Sequence, residues 1–231
     1  MLILNYHRVG IPPTTVRYRG MYVSPDMLAW HVRLLKLRGF EFVTVSDGVA
    51  RGCLPRTVAL TFDDGYTDNI ELGLPVLAAQ NIPATVYVVT GDVGKRGVIW
   101  QEAGDKVLSD LMTWDDLKRL ESAGWEIGSH AADHVHLARR PHAEQQDLIS
   151  KSWEDITVHL GHPPRTFAYP YGSFNNDTLT ILRELGAESA VTIRNDGINT
   201  SASDKLLLFR QPARGHKIHH GLKALKLLLQ N

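Results

Sequence analysis

The sequence predicts an α/β protein with a parallel sheet that closes into a barrel, complete or distorted. Three observations predict it. Short apolar runs alternate with stretches of helical period, the grammar of βαβ units. Eight or so such runs spread over 231 residues, enough to close a barrel. Three of the runs stop at Asp63 and Asp64, at His130, and at the Pro-Tyr-Gly turn 170–172. The carboxyl ends of parallel strands are where α/β folds carry their chemistry. No Pro/Gly/Ser-rich linker, repeat or low-complexity tract divides the chain, so one domain over 1–231 is expected.

The strands are expected at 2–5, 42–45, 58–62, 84–89, 126–129, 166–169, 190–193 and 206–209. Between them lie the helices. The first opens with Ser24 as N-cap and Pro25 at the first helical position, and stops at Gly39. The stretch 67–82 is helical in period, with Pro75 as a kink or boundary. Thr113 and Asp116 form a variant capping box for a helix that closes at Gly124. Stretches 141–161 and 175–186 follow the same pattern, and a last helix is expected at 221–230.

Composition removes several classes. Lys+Arg and Asp+Glu are 25 each, so the formal net charge is zero. That gives no bulk electrostatic reason to expect nucleic acid or an anionic membrane as partner. The tail 210–226 is rich in Arg, Lys and His and leaves room for a local basic patch. Cys53 is the single cysteine, so no internal disulfide forms, and it is expected to be an inert thiol. No apolar run reaches 18 residues, so no transmembrane helix is expected. The start "MLILNYHRVG" lacks the basic segment of a secretory signal, which leads to the expectation of a cytoplasmic protein if synthesis starts at Met1. Oligomeric state leaves no sequence signal. The 11 histidines invite a search for metal ligands.

Asp63 and Asp64 end a buried run in "VALTFDDGY". Repulsion and desolvation disfavour two adjacent carboxylates there unless something makes the charges useful. His130 and His134 are four apart in "GSHAADHVHL", and in a turn or tight loop both imidazoles reach one metal; His136 is a third candidate. Two imidazoles and a carboxylate form a familiar facial set for zinc or another divalent ion, with positions left open. One Asp then ligates, and the other stays ionised beside the cation as a base. The bland alternative makes one of the two an N-cap and the histidines a solvated loop. Pro170 and Gly172 shape a turn that either aims the Tyr171 N–H at an oxyanion or is just a turn. Tyr6, Tyr66, Trp100, Tyr169 and Tyr171 either stack on sugar rings or fill the core.

The segments "TFDDGY", "TWDDLKRLESAGWEIGSHAADHVHL" and "FAYPYGSFN" together resemble the polysaccharide deacetylase family, carbohydrate esterase family 4, over residues 1–193. The opening "LNYHRV" and the form "FAYPYG" are most similar to the branch that includes poly-N-acetylglucosamine deacetylases. The resemblance implies a distorted (β/α) barrel of about seven parallel strands and metal-dependent removal of acetyl groups from N-acetylated amino sugars. It implies Asp63 as general base, Asp64, His130 and His134 as ligands of one divalent ion, typically Zn2+ (Co2+ or Ni2+ also serve), and the Tyr171 backbone at the oxyanion. His7, Tyr66, Tyr169 and Arg210 are the residues assigned to the substrate cleft, and an N-acetylated oligo- or polysaccharide is the implied partner.

Three places depart from that family's pattern. Ala131 follows the first metal histidine where a Ser or Thr is usual, which removes a hydroxyl that would orient the ring. Ala168 stands where many members carry an Arg that holds the catalytic Asp, and Arg210 can supply that guanidinium from another strand. The general acid is not clear; His216, His219 and His220 are candidates, with His216 assigned the role. These departures keep two alternatives open, a sugar-binding barrel without catalysis and a metal-dependent hydrolase of non-sugar C–N bonds.

Overall fold

Strand β1 (Leu2–Tyr6) is buried along its whole length, and so is β5 (Thr57–Phe62), its parallel neighbour over five residue pairs. Continuous apolar runs, not alternating ones, are what a parallel sheet covered on both faces requires. The computed structural model describes residues 1–14, 16, 18–98 and 108–213. Its further sheet strands are β4 (Glu41–Phe42), β6 (Thr85–Val88), β7 (Glu126–Ser129), β8 (Thr166–Ala168), β9 (Ser189–Val191) and β10 (Gln211–Pro212). Seven strands run in the order β10-β1-β5-β6-β7-β8-β9, all parallel. Leu208, just before β10, bridges Val191 of β9, so the ends of the path meet and the sheet curls into a barrel.

The barrel is distorted at β5. With β1 on one edge, β4 and β6 share the other: β4 pairs with Thr57 and Val58, β6 with Thr61 and Phe62. Two short strands, β2 (Arg8–Val9) and β3 (Tyr22–Val23), form a separate parallel pair near the carboxyl end of β1.

The helices begin where local chemistry dictates. Helix α1 (Pro25–Leu37) is capped by Ser24, whose hydroxyl accepts the Met27 N–H at 3.2 Å. Helix α4 (Trp114–Ser122) carries the Thr113/Asp116 capping box, and α6 (Asn176–Glu184) carries one built from Asn175 and Thr178. Helix α5 (His142–Leu160) ends on left-handed Gly161. The stretch 67–82 divides at the proline: a π turn spans Asn69–Gly73, and Pro75 sits in the first turn of α3 (Leu74–Ala78), where its missing N–H costs nothing. The expected helix at 221–230 lies outside the described residues.

Two expected strands are corrected. The strand at 42–45 stops at Phe42, because the Thr44 hydroxyl accepts the Asp47 N–H and starts α2 (Val45–Ala50). The strand at 206–209 is a turn bearing the Leu208 bridge; the last strand is β10, which pairs with β1. The apolar character of 206–209 reflects burial of Leu206 and Leu208, not strand geometry.

Phe62 fixes the core directly beneath the strand end that carries Asp63. It is fully buried, with Tyr6 at 5.2 Å on one side and Trp125 at 5.1 Å on the other. Phe62→Ala is expected to destabilise the fold by about 3–5 kcal/mol, read from urea unfolding midpoints; a loss under 1 kcal/mol would show that this stack is not structural.

Candidate active site

In extended backbone, neighbouring side chains point to opposite faces, so adjacent aspartates could not share a site. The turn after β5 breaks that geometry. Asp64 and Gly65 both have φ of 79°, and Gly65 is required, because a Cβ there would crowd Val88. Ala131, just past β7, has φ 62°, and Tyr171, just past β8, has φ 55°. Three of the six described non-glycine residues in left-handed backbone therefore stand at the carboxyl ends of β5, β7 and β8. Strained backbone concentrates at functional sites because the surrounding structure must hold it there.

Asp64, His130 and His134 each offer one ligand atom, all within 4.8 Å of one another. The Nε2 atoms of His130 and His134 lie 3.5 and 3.4 Å from Asp64 Oδ1. His130 Nδ1 is 2.7 Å from the Ala168 carbonyl, which can only accept, so in the neutral ring Nδ1 carries the hydrogen and bare Nε2 faces the carboxylate. Asp64 Oδ1 is buried and finds no hydrogen-bond donor among the described residues. Lone pairs facing lone pairs in a buried site repel unless a cation lies between them. A tetrahedral ion with bonds of ~2.0–2.1 Å separates its ligand atoms by roughly 3.3–3.4 Å, so the observed spacing fits such an ion. Burial lowers the His134 pKa to about 4, which keeps that ring neutral and able to ligate near pH 7. Burial opposes ionisation of Asp64, and it takes positive charge on the imidazole side, a proton or a cation, to hold the carboxyl below its usual range.

Asp63 faces a different partner. Arg210 grips it bidentately, Nη1 to Oδ1 at 2.6 Å and Nη2 to Oδ2 at 2.8 Å, and Asn5 Nδ2 donates to Oδ2 at 3.0 Å. Arg210 also donates to Thr61 Oγ1 and to the Thr192 carbonyl, and its guanidinium lies 5.8 Å from the Tyr87 ring centre. Burial alone would raise the Asp63 pKa; the Arg210 charge reverses this and keeps the carboxylate ionised. Oδ1 takes one donor and Oδ2 two, so one of about four acceptor positions, on Oδ1, stays open among the described residues.

The other expected site residues divide. The His7 side chain is 31% exposed, its Nε2 3.9 Å from Asp63 Oδ2, beside a cavity of about 420 Å3 lined also by Asn5, Tyr18 and Met21. The Tyr171 ring lies between His134 and His136, at 4.2 and 4.4 Å. His136 thus packs on Tyr171 and is outside the ligand group. Three residues assigned to the cleft are buried. Tyr169 is 1% exposed, packs on Phe167 and Phe174, and donates to the Leu206 carbonyl: it is core. Arg210, also 1% exposed, touches Asp63 and has no surface to offer a sugar. Tyr66 is buried with Arg8 stacked on its ring at 4.3 Å, and lies against Asp64, so it borders the ligand group and is no stacking platform. Tyr6 is likewise core. Trp100, His216, His219 and His220 lie outside the described residues. Asn5 was not foreseen. Its one signal is a lone amide near the end of the apolar strand β1, in register with Thr61 of β5.

Barrel and site together define a distorted (β/α) barrel with a group able to hold a cation at the carboxyl ends of its strands. Residues 52–190 match the family model described as polysaccharide deacetylase, and the chain belongs to that family. It is 24% identical over 226 residues to a poly-beta-1,6-N-acetyl-D-glucosamine N-deacetylase of Staphylococcus aureus (strain MRSA252), covering 88% of this chain and 75% of that one. Its fold is similar to the solved structure of IcaB from Ammonifex degensii, with a TM-score of 0.76, 26% identity and coverage of 97% and 95%. It is also similar to the Streptococcus pyogenes deacetylase PplD in complex with acetate, with a TM-score of 0.81, 24% identity and 97% of each chain covered.

The Arg210 grip sets a pH dependence. The Asp63 carboxyl sits below its ordinary 3.8, so its ionised form adds stability above about that pH, and this is lost as pH falls through the lowered value. Arg210→Met removes the largest opposition to burial and leaves the Asn5 donor and the nearby histidines, so the carboxyl pKa rises. The variant is expected to lose about 3–5 kcal/mol in urea unfolding, the cost of stranding a buried charge. The acid limb of its activity profile should move to higher pH; an acid limb left in place would refute the grip as the cause of the lowered pKa.

Proposed function

We propose that this protein is a metal-dependent N-deacetylase acting on N-acetylglucosamine residues of a glycan such as poly-β-1,6-N-acetyl-D-glucosamine, and releasing acetate. The observation that carries it is the separation of two adjacent carboxylates into different roles. Asp64 points at two imidazoles in a cation-sized group, and Asp63 is held ionised apart from them by Arg210 and Asn5. A structural cap or a sugar-binding surface has no use for that pair of buried charges. The Staphylococcus aureus relative, named as a poly-beta-1,6-N-acetyl-D-glucosamine N-deacetylase, supports the substrate class.

Asp64, His130 and His134 would hold the ion, with Zn2+ suited to two imidazoles and a carboxylate, and Co2+ or Ni2+ as substitutes. When bound, the ion polarises the acetamide carbonyl and brings the pKa of a water at the site towards 7. That supplement matters because the Arg210 grip makes Asp63 a weak base. Asp63 accepts the proton of the attacking water at the open position on Oδ1. The Tyr171 N–H, set by its left-handed turn, is the proposed donor to the oxyanion. The departing amine needs a proton, and His7 stands beside Asp63 with part of its ring open. That position supports His7 as the proposed proton donor, the role assigned by sequence to His216.

Acetate release from poly-β-1,6-N-acetylglucosamine oligomers tests the proposal, with chitooligosaccharides for comparison. Activity should vanish with chelator and return with Zn2+. Asp63→Asn should lose about 10²–10⁴-fold in turnover while retaining bound metal by elemental analysis. His134→Ala should lose metal as well. An Asp63→Asn protein as active as the parent removes the base assignment, and full activity after metal removal removes the metal.

A further inference from the structure

A cavity of about 1060 Å3 lies at the end of the barrel away from Asp63. It is lined by Met1 and Leu2, where β1 starts, by residues 37–40 ahead of β4, by 51–56 ahead of β5, and by 198–201. These are the amino ends of the strands, and nothing in the proposed deacetylation uses them. The volume is just above the roughly 300–1,000 Å3 of small-molecule pockets.

Its chemistry is mixed in a specific way. Three arginines line it. Arg51 is neutralised by Glu41, with Nη1 at 2.5 Å from Oε1. Arg38 and Arg56 have no acidic partner among the described residues. Arg56 Nη1 lies 3.4 Å from where a Cβ on Gly39 would stand, so the guanidinium lies against the residue that follows Arg38 in the chain. Beside this uncompensated positive pair are leucines facing solvent: Leu37 is 73% exposed and Leu54 49% exposed, with Phe40, Pro55 and Ile198 completing the apolar lining. Cys53 and Arg56, two more of the left-handed non-glycine residues, hold the loop that presents Leu54.

We propose that this far-end cavity binds an amphiphilic organic anion, its phosphate or carboxylate head on Arg38 and Arg56 and its apolar body over Leu37 and Leu54. Planar guanidinium groups match the oxygens of such heads bidentately. A hydrophilic anion would leave the leucines exposed, and a neutral amphiphile would leave the two charges uncompensated. The combination selects for both properties in one molecule. The source is either a free amphiphile or a lipid headgroup with its chain.

Calorimetric titration tests this with dodecyl phosphate below its micelle-forming concentration, with dodecyl maltoside and inorganic phosphate as controls. Dodecyl phosphate is expected to saturate one site and to bind at least about tenfold more tightly than either control, as a charge-assisted pair of hydrogen bonds would give. The double variant Arg38→Gln, Arg56→Gln should weaken it by a similar factor, with acetate release unchanged as the check on folding. The second pair, Leu37→Ser with Leu54→Ser, should weaken dodecyl phosphate and leave inorganic phosphate unaffected. Co-sedimentation with phosphatidylglycerol vesicles supports the lipid source, and saturable binding without co-sedimentation supports the free one. No saturable binding, equal affinity for dodecyl maltoside, or parental affinity in both double variants overturns the proposal. The deacetylase proposal is untouched by any of these results, because the metal group lies at the other end of the barrel.

Discussion

The grip of Arg210 on Asp63 is the constraint around which the site is built. It joins residues 147 positions apart, and both partners are buried. Two charges in a barrel interior are tolerated only when geometry and the remaining hydrogen bonds are satisfied together. Here Nε, Nη1 and Nη2 all find acceptors, on Thr192, Thr61 and Asp63, contributed by or next to strands β9 and β5. The segment running into β10 must therefore close against β1 and β9 before the Asp63 carboxylate is electrostatically complete. Fold closure and the ionisation state of Asp63 are one event.

The two carboxylates also show how backbone conformation divides labour between neighbours in sequence. A left-handed residue at 64 turns the second side chain towards the imidazoles while the first remains with the arginine. The same device recurs after β7 and β8, where Ala131 and Tyr171 turn the chain at the mouth. The Gly91 position shows how closely these loops pack: a Cβ there would collide with the Ala132 carbonyl. The ligand loop is consequently held by backbone on both sides, through Thr90 N–H to Ala131 and Ala132 N–H to Leu148.

What could be read from sequence was what is local. Ser24, the Thr113/Asp116 box and Pro75 mark helix boundaries because capping and proline act within a few residues. The strand ends at Asp63 and His130 stood out because charge at the end of an apolar run is costly. Long-range placement was less legible. Arg210 could be paired with Asp63 by charge complementarity, yet its burial put it out of reach of substrate. Tyr169 and Tyr171 look equivalent in "AYPYG", but the first still follows β8 into the core and the second lies past the turn. Val43 and Val45 suit a strand by composition, and a single hydroxyl on Thr44 was enough to start a helix there. Gln211 and Pro212 lack strand character altogether; pairing with β1 makes them one.

The His130 ring is steered by the carbonyl of Ala168 and not by a hydroxyl at 131. A hydroxyl can be lost in one codon change, but every amino acid brings the same main-chain oxygen. Orientation of this ring is thereby stored in where strand β8 lies. The aim of this imidazole is independent of the side chain at 131, so the missing hydroxyl there leaves the His130 geometry intact.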